Sequence, residues 1–166
     1  MRWARRYPTA EEIGRAMATH LLSYLTEGKA APALVGARHT GEPTALLNKN
    51  RRWPVAVVPL PRERGVNTTA PPHIPDELVF MLRVYDGMVA SATAGKDGMR
   101  EAQERTAYVY GQWRQAIAAD HRFRAEVRHW ELAGSEGAPL IDRVGRPLQT
   151  MGNNLWKHEG TLVVKL

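Results

Sequence analysis

Apolar residues recur at helical spacing twice along this 166-residue chain, and at strand spacing several times between and after. Ile13, Met17, Leu21 and Leu25 return every four residues, with Ala16 and Tyr24 beside them. That stripe predicts an amphipathic helix from Thr9 to Glu27. Its start is marked by Thr9 and Glu12, a capping box in which each side chain reaches the other's backbone N–H, and Gly28 ends it. A second helix is predicted from Met99 to Ala119, with Ala102, Tyr108, Val109, Trp113, Ala116 and Ile117 on its apolar side. Asp120 marks its end.

The strands are read from β-branched and alternating runs. Trp53–Val58 lies between Pro54 and Pro59, and Glu77–Asp86 is the longest clear strand. Glu126–Leu132 alternates, and Thr161–Leu166 closes the chain after Leu155 and Trp156. Leu34–Ala37 is a short, weaker candidate. His121–Ala125 reads as a turn, Gly87–Gly98 as a loop of small residues, and Gly134–Gly145 as a polar excursion. The prolines at 61, 71, 72 and 75 make residues 60–75 an extended Pro-rich loop, and residues 1–8 read as a basic N-terminal arm outside the main elements. The expected architecture is α+β, a single domain over residues 1–166. Two main helices pack on one face of a mostly antiparallel sheet, joined by long connecting loops.

Composition narrows the chemistry. With no cysteine, disulfides, thiolate metal sites and cysteine nucleophiles are excluded. The six histidines stand at no tight ligand spacing; His20 borders the first helix stripe and reads as a boundary residue. There is no phosphate-cradling GxxxxGK[ST], no GxGxxG between a strand and a helix, and no GxSxG elbow. Glu27-Gly28-Lys29 and Pro75-Asp76 resemble the halves of a metal nuclease site, but in reversed order and with Glu27 at a helix end. No cofactor, metal or catalytic residue is expected, and the chain reads as a non-enzyme. No run of 18 apolar residues predicts a membrane helix, and the N-terminus lacks the apolar segment of a signal peptide, which points to a cytosolic product.

Twenty-three Lys and Arg against 17 Asp and Glu give a net charge of +6. Three clusters are local: Arg2/Arg5/Arg6, Lys49/Arg51/Arg52 and Arg122/Arg124/Arg128. The charge permits contact with a polyanion, so a basic nucleic-acid-binding module stands as an alternative reading. The basic residues are nevertheless spread from Arg2 to Lys165, and no aromatic ladder accompanies them as in a single-strand binder. Of the five tryptophans, Trp53, Trp113, Trp130 and Trp156 fall on predicted elements and are expected in the core. Trp3, in the basic arm, is expected to anchor on a neighbouring subunit.

The order of elements resembles the tail terminator (tail-to-head joining) proteins of long-tailed bacteriophages. The likeness lies in an opening helix, here Thr9–Glu27, strands like Trp53–Val58 and Leu78–Tyr85, and a long helix like Met99–Ala119. The turn Ala118-Ala-Asp-His-Arg-Phe-Arg-Ala-Glu-Val127 and the closing strand extend it over nearly the whole chain. It is a resemblance of order and texture, with no invariant motif; the segment Arg38–Arg52 and the loop Leu60–Pro75 depart from the smallest members. The resemblance implies a structural virion protein of the tail or neck, assembled in the host cytoplasm. Such a protein forms a ring of identical subunits, typically a hexamer, on the major tail tube protein. It ends tube polymerisation and presents a surface to the head–tail connector or stopper. DNA would pass through the lumen without sequence recognition, the basic groups facing neighbouring proteins. Under this reading the interface residues are Trp3, Arg51, Arg52, Arg62 and Asn67. A head–tail stopper or other minor tail protein is the nearest rival.

Overall fold

The computed structural model describes residues 2–7, 9–27, 33–35, 54–66, 75–89, 95–141, 144–146, 149–150 and 153–166. In chain order the elements are α1 (Arg2–Arg6), α2 (Ala10–Glu27), β1 (Ala33–Val35), β2 (Val55–Val58), β3 (Arg62–Val66) and β4 (Pro75–Val89). They continue with α3 (Gly95–Ala119), α4 (His121–Glu126), β5 (His129–Leu132), β6 (Glu136–Pro139), β7 (Gln149–Thr150) and β8 (Asn153–Lys165). All strands join one sheet in the order β1-β2-β4-β8-β5, with β3 on β4 and both β6 and β7 on β8. The β1–β2 pair is parallel and every other pair antiparallel. The α+β architecture read from the sequence is the one observed.

The centre of the sheet is the ribbon of β4 and β8, paired from Glu77↔Lys165 to Val89↔Asn153. Alternation along it sorts the side chains. Leu78, Phe80, Leu82 and Val84 of β4 and Leu162 and Val164 of β8 face the helices. Ile13, Met17, Leu21 and Leu25 of α2 and Val109, Trp113 and Ile117 of α3 fill the space above them. The Trp113 indole is fully buried and donates its Nε1–H to the Leu21 carbonyl at 2.8 Å, which ties the two helices together. A smaller cluster of Val55, Val57, Tyr85, Leu140 and Leu155 belongs to the opposite face. All four residues of β2 are therefore buried, which explains its uninterrupted Val-Ala-Val-Val run.

Short strands on each side of the ribbon are interrupted versions of single longer ones. From Val57↔Arg83 to Arg62↔Val79 the outer chain advances five residues while β4 advances four. The extra residue is a bulge at Pro59-Leu60-Pro61, where prolines leave no N–H for the ladder. On the far side, Leu132↔Leu162 and Glu136↔Glu159 differ by four residues against three, which places a second bulge at Ala133-Gly134-Ser135. The eight strands thus occupy five lanes.

Several sequence expectations are corrected. The Pro-rich segment 60–75 is not loop throughout, because β3 pairs with the first residues of β4; residues 67–74 lie outside those described. His121–Ala125 is helical: Asp120 Oδ1 accepts from the backbone N–H of Arg122 and Phe123 at 2.9 and 3.1 Å and starts α4. The excursion 134–145 contains β6. The ends of the Gly87–Gly98 loop belong to β4 and α3. Tyr108, placed on the apolar side of α3, is 65% exposed, while Thr106 takes a fully buried position and satisfies its hydroxyl on the Ala102 carbonyl at 2.8 Å. The capping box forms as read, with Thr9 N–H donating to Glu12 and Glu12 N–H to the Thr9 hydroxyl.

Gly160 is where α3 comes closest to the ribbon. A Cβ there would stand 1.8 Å from the Tyr110 hydroxyl oxygen. Burial pushes that phenol up to about 12, so it stays protonated and reaches across to the Ala133 carbonyl at 3.4 Å. Gly160→Ala is expected to lower stability by about 1–3 kcal/mol through overpacking, read by urea unfolding. Adding Tyr110→Leu, which removes the obstructing ring, should restore part of the loss.

Candidate interaction surface

The densest polar constellation joins α2 to the α3–α4 junction. Tyr24 donates its hydroxyl to Asp120 Oδ2 at 2.6 Å. His20 Nε2 lies 3.1 Å from the same oxygen and 2.9 Å from the Tyr24 oxygen. With the Tyr24 proton committed to Asp120, both neighbours of Nε2 are acceptors, so the network assigns the imidazole proton to Nε2. Asp120 Oδ1 meanwhile caps α4. Burial raises the Asp120 pKa, but the hydrogen bonds from Tyr24, the Phe123 backbone, His20 and the Arg122 backbone outweigh it and hold the group at about 2. Both Asp120 oxygens are engaged by these hydrogen bonds, so the arrangement clamps the helix junction.

Aromatic packing continues that clamp toward the N-terminus. The His20 ring sits 5.9 Å from the Trp3 ring and 6.0 Å from Phe123, and Trp3 stacks on Tyr7 at 5.9 Å. Trp3 is 6% exposed and belongs to the main core. This corrects the docking-anchor expectation: residues 2–6 form α1, which buries the Trp3 indole within its own chain. Five residues are too few to show a helical period. Of the other expected interface residues, Arg62 is exposed on β3; Arg51, Arg52 and Asn67 lie outside the described residues.

Two further charged groups sit on the ribbon. Arg83, 4% exposed, pairs with Glu159 at 2.5 Å on the face away from the helices, and Lys157 stands 3.7 Å from the same carboxylate. Asp86, on the helix side, accepts from Arg105 of α3 at 2.5 Å and from the Gly87 N–H at 2.8 Å. Burial pushes its pKa above 3.8 against the pull of Arg105. His158 is buried under the Tyr110 ring, at 5.2 Å, with neither ring nitrogen hydrogen-bonded, and burial pushes it below 6.5. These are cross-strand and helix-to-sheet ties that sequence could not reveal, because each joins residues far apart in the chain.

Among the described residues no group of three or more His, Asp or Glu side chains is placed to hold a metal ion. Asp76, half of the nuclease resemblance, is exposed at the start of β4; the Glu27 side chain and Lys29 lie outside the described residues. A groove lined by Gly14, Leu60, Pro61 and Glu63 has no room for a water-sized molecule. No described helix is long and apolar enough to cross a membrane. What the surface does offer is edges. Among the described residues, no strand pairs with the outer side of β1 or of β5 and β6. The Leu140 N–H donates to Leu155 on β8, so by antiparallel alternation position 139 faces outward, and Pro139 has no N–H to offer there. Comparison with protein-family models gives no match, and comparison with curated protein sequences gives none either.

Trp3→Ala is expected to cost about 3 kcal/mol in urea unfolding of dilute protein; an unchanged midpoint would return Trp3 to an intermolecular role. Acid sensitivity follows from the two depressed groups. His158 binds its proton more readily unfolded, so its contribution is complete above pH 6.5 and declines as pH falls through its folded value. Asp120 contributes fully above about 4 and loses about 2 kcal/mol as pH falls toward 2. Asp86, with its pKa raised, acts in the opposite sense: its neutral form suits the fold better, so acidification toward 3.8 relieves a cost. Urea midpoints measured from pH 7.5 to 3 should drop in two stages. His158→Leu, which replaces the unpaired ring by an apolar group, should abolish the first stage alone.

Proposed function

We propose that this chain is a structural ring subunit of a phage tail or neck, which caps the tail tube, ends its polymerisation and joins it to the head connector. The observation that carries the reading is the order of the folded elements. After the short α1, an opening helix, three strand lanes, a long helix followed by the short α4, and two closing lanes build a two-layer subunit, an order that resembles the terminator proteins.

The edges supply a physical route to a ring. The two sides of the sheet are chemically different: β1 is a short apolar Ala-Leu-Val segment, whereas β5 and β6 carry His129, Glu131 and Glu136. A contact between unlike edges is heterologous, and repetition of such a contact closes a ring when the rotation per subunit divides the circle. Backbone hydrogen bonds across the edges give such a contact affinity without demanding apolar surface. Termination is then steric: one ring face matches the tube and the other does not template a further tube ring. The extended ribbon of β4 and β8 provides a rigid frame that keeps the two edges in fixed relation.

Light scattering after size-exclusion chromatography should give a closed oligomer whose mass is a small multiple of 18.6 kDa, six being the expected number. Electron microscopy of tail tube protein polymerised with the chain should show shorter tubes carrying one ring at an end. A chain that stays monomeric and leaves tube length unchanged sinks the reading.

A further inference from the structure

Two basic clusters separated by more than a hundred residues flank one aromatic stack. The ring contacts Trp3–His20 and His20–Phe123 link α1 to α4 through α2. Arg5 and Arg6 of α1 are exposed there, as are Arg122 and Arg124 of α4 and Arg128 just beyond it. Among the described residues five other arginines differ from them, whereas Arg62 and Arg114, on β3 and α3, likewise show no carboxylate partner. Arg15, Arg64, Arg83, Arg100 and Arg105 each pair with a carboxylate. Arg5, Arg6, Arg122, Arg124 and Arg128 pair with none among the described residues; Arg124 donates only to His121 Nδ1, at 2.6 Å. Two carboxylates lie among them along the chain: Asp120 is committed to the inward clamp and the α4 cap, and Glu126 of α4 forms no ion pair with the five among the described residues.

We infer that this five-arginine surface binds the phosphate backbone of duplex nucleic acid, without reading its sequence. The two largest rings beneath it, Trp3 and Phe123, are buried and so cannot stack the bases of a single strand. A protein partner is disfavoured for a related reason. Stable protein interfaces have an apolar centre, yet among the described residues the large exposed apolar side chains are Met99, Tyr108, Ile141 and Val144, none of them on α1 or α4. Exposed guanidinium forks with no apolar centre fit the polar, strongly positive character of nucleic-acid interfaces, and each fork matches two phosphate oxygens. The assignment goes beyond the ring reading and does not rest on it.

The test is fluorescence anisotropy of the full chain, in whatever oligomer it forms, with a labelled duplex of about 20 base pairs and arbitrary sequence between about 50 and 200 mM salt. Binding should be salt-dependent and indifferent to sequence. Arg122→Ala/Arg128→Ala and Arg5→Ala/Arg6→Ala should each weaken it about tenfold or more at low salt and lower the log–log salt slope by about 2, one unit per lost phosphate contact. Arg64→Ala/Arg100→Ala removes the same charge elsewhere and should leave affinity within about twofold. All five side chains are exposed, and circular dichroism confirms that each variant stays folded. Three results overturn the assignment: no binding at about 50 mM salt, equal losses in the Arg64/Arg100 variant, or displacement by polyglutamate as effective as by unlabelled duplex. The last would identify an acidic protein surface as the ligand. Because ring formation is read separately by mass, failure here and failure of the ring reading are distinguishable.

Discussion

The pairing of β4 with β8 over thirteen residue pairs governs almost everything else in this molecule. Because side chains alternate along both strands, a slip of one residue in either strand's facing would exchange Leu78, Phe80, Leu82 and Val84 with Val79, Met81, Arg83 and Tyr85. The Arg83–Glu159 pair would then be driven under the helices, at a cost of several kcal/mol for unpaired or poorly solvated charge. The ion pair on one face and the apolar row on the other therefore specify the same register from opposite sides. Gly160 adds a third constraint: a side chain at that position would collide with the Tyr110 ring. The two bulges follow from the same spine, since each lets an outer lane follow the long ribbon while shifting its own side chains by one residue.

How much of this was legible in the chain depended on whether the determining signal was local. The first helix was readable to within a residue because its stripe, capping box and terminating glycine all lie inside one segment. β4 and the closing strand were found for the same reason, although both extend further than their β-branched centres indicated. β6 was invisible: Glu136-Gly-Ala-Pro139 has no strand propensity, and it pairs because β8 offers an unfilled edge. There the glycine at 137 has a non-local reason, since the Trp156 ring lies 2.7 Å from where a Cβ would stand. α1 and α4 were missed because neither is long enough to display a period, and Asp120 served as a stop signal for one helix while its role as cap of the next went unread.

The candidate surface shows the same division more sharply. Both arginine clusters were evident from sequence, but their adjacency was not, because it is created by His20 touching Trp3 on one side and Phe123 on the other. Reading Trp3 as a surface anchor rested on the basic residues around it. The structure reverses the inference: the indole is what buries α1, and the arginines are what α1 displays. A buried aromatic residue flanked by exposed charges is a mounting device, with the apolar side chain fixing the position from which the polar ones act.

That arrangement also couples stability to charge presentation. The clamp made by Tyr24, His20 and Asp120 holds α4 in place through an ionised carboxylate, and the aromatic stack transmits that placement to α1. Asp120 therefore has two effects of opposite electrostatic sense. It contributes the only negative charge built into the clamp, yet its inward hydrogen bonds leave the neighbouring guanidinium groups without a carboxylate partner among the described residues. Had Asp120 instead reached outward to Arg122 or Arg124, the patch would have lost charge and the helix junction its cap. Placing the carboxylate inside keeps both the junction ordered and the arginines available, which is a demand on geometry that neither basic cluster could meet alone.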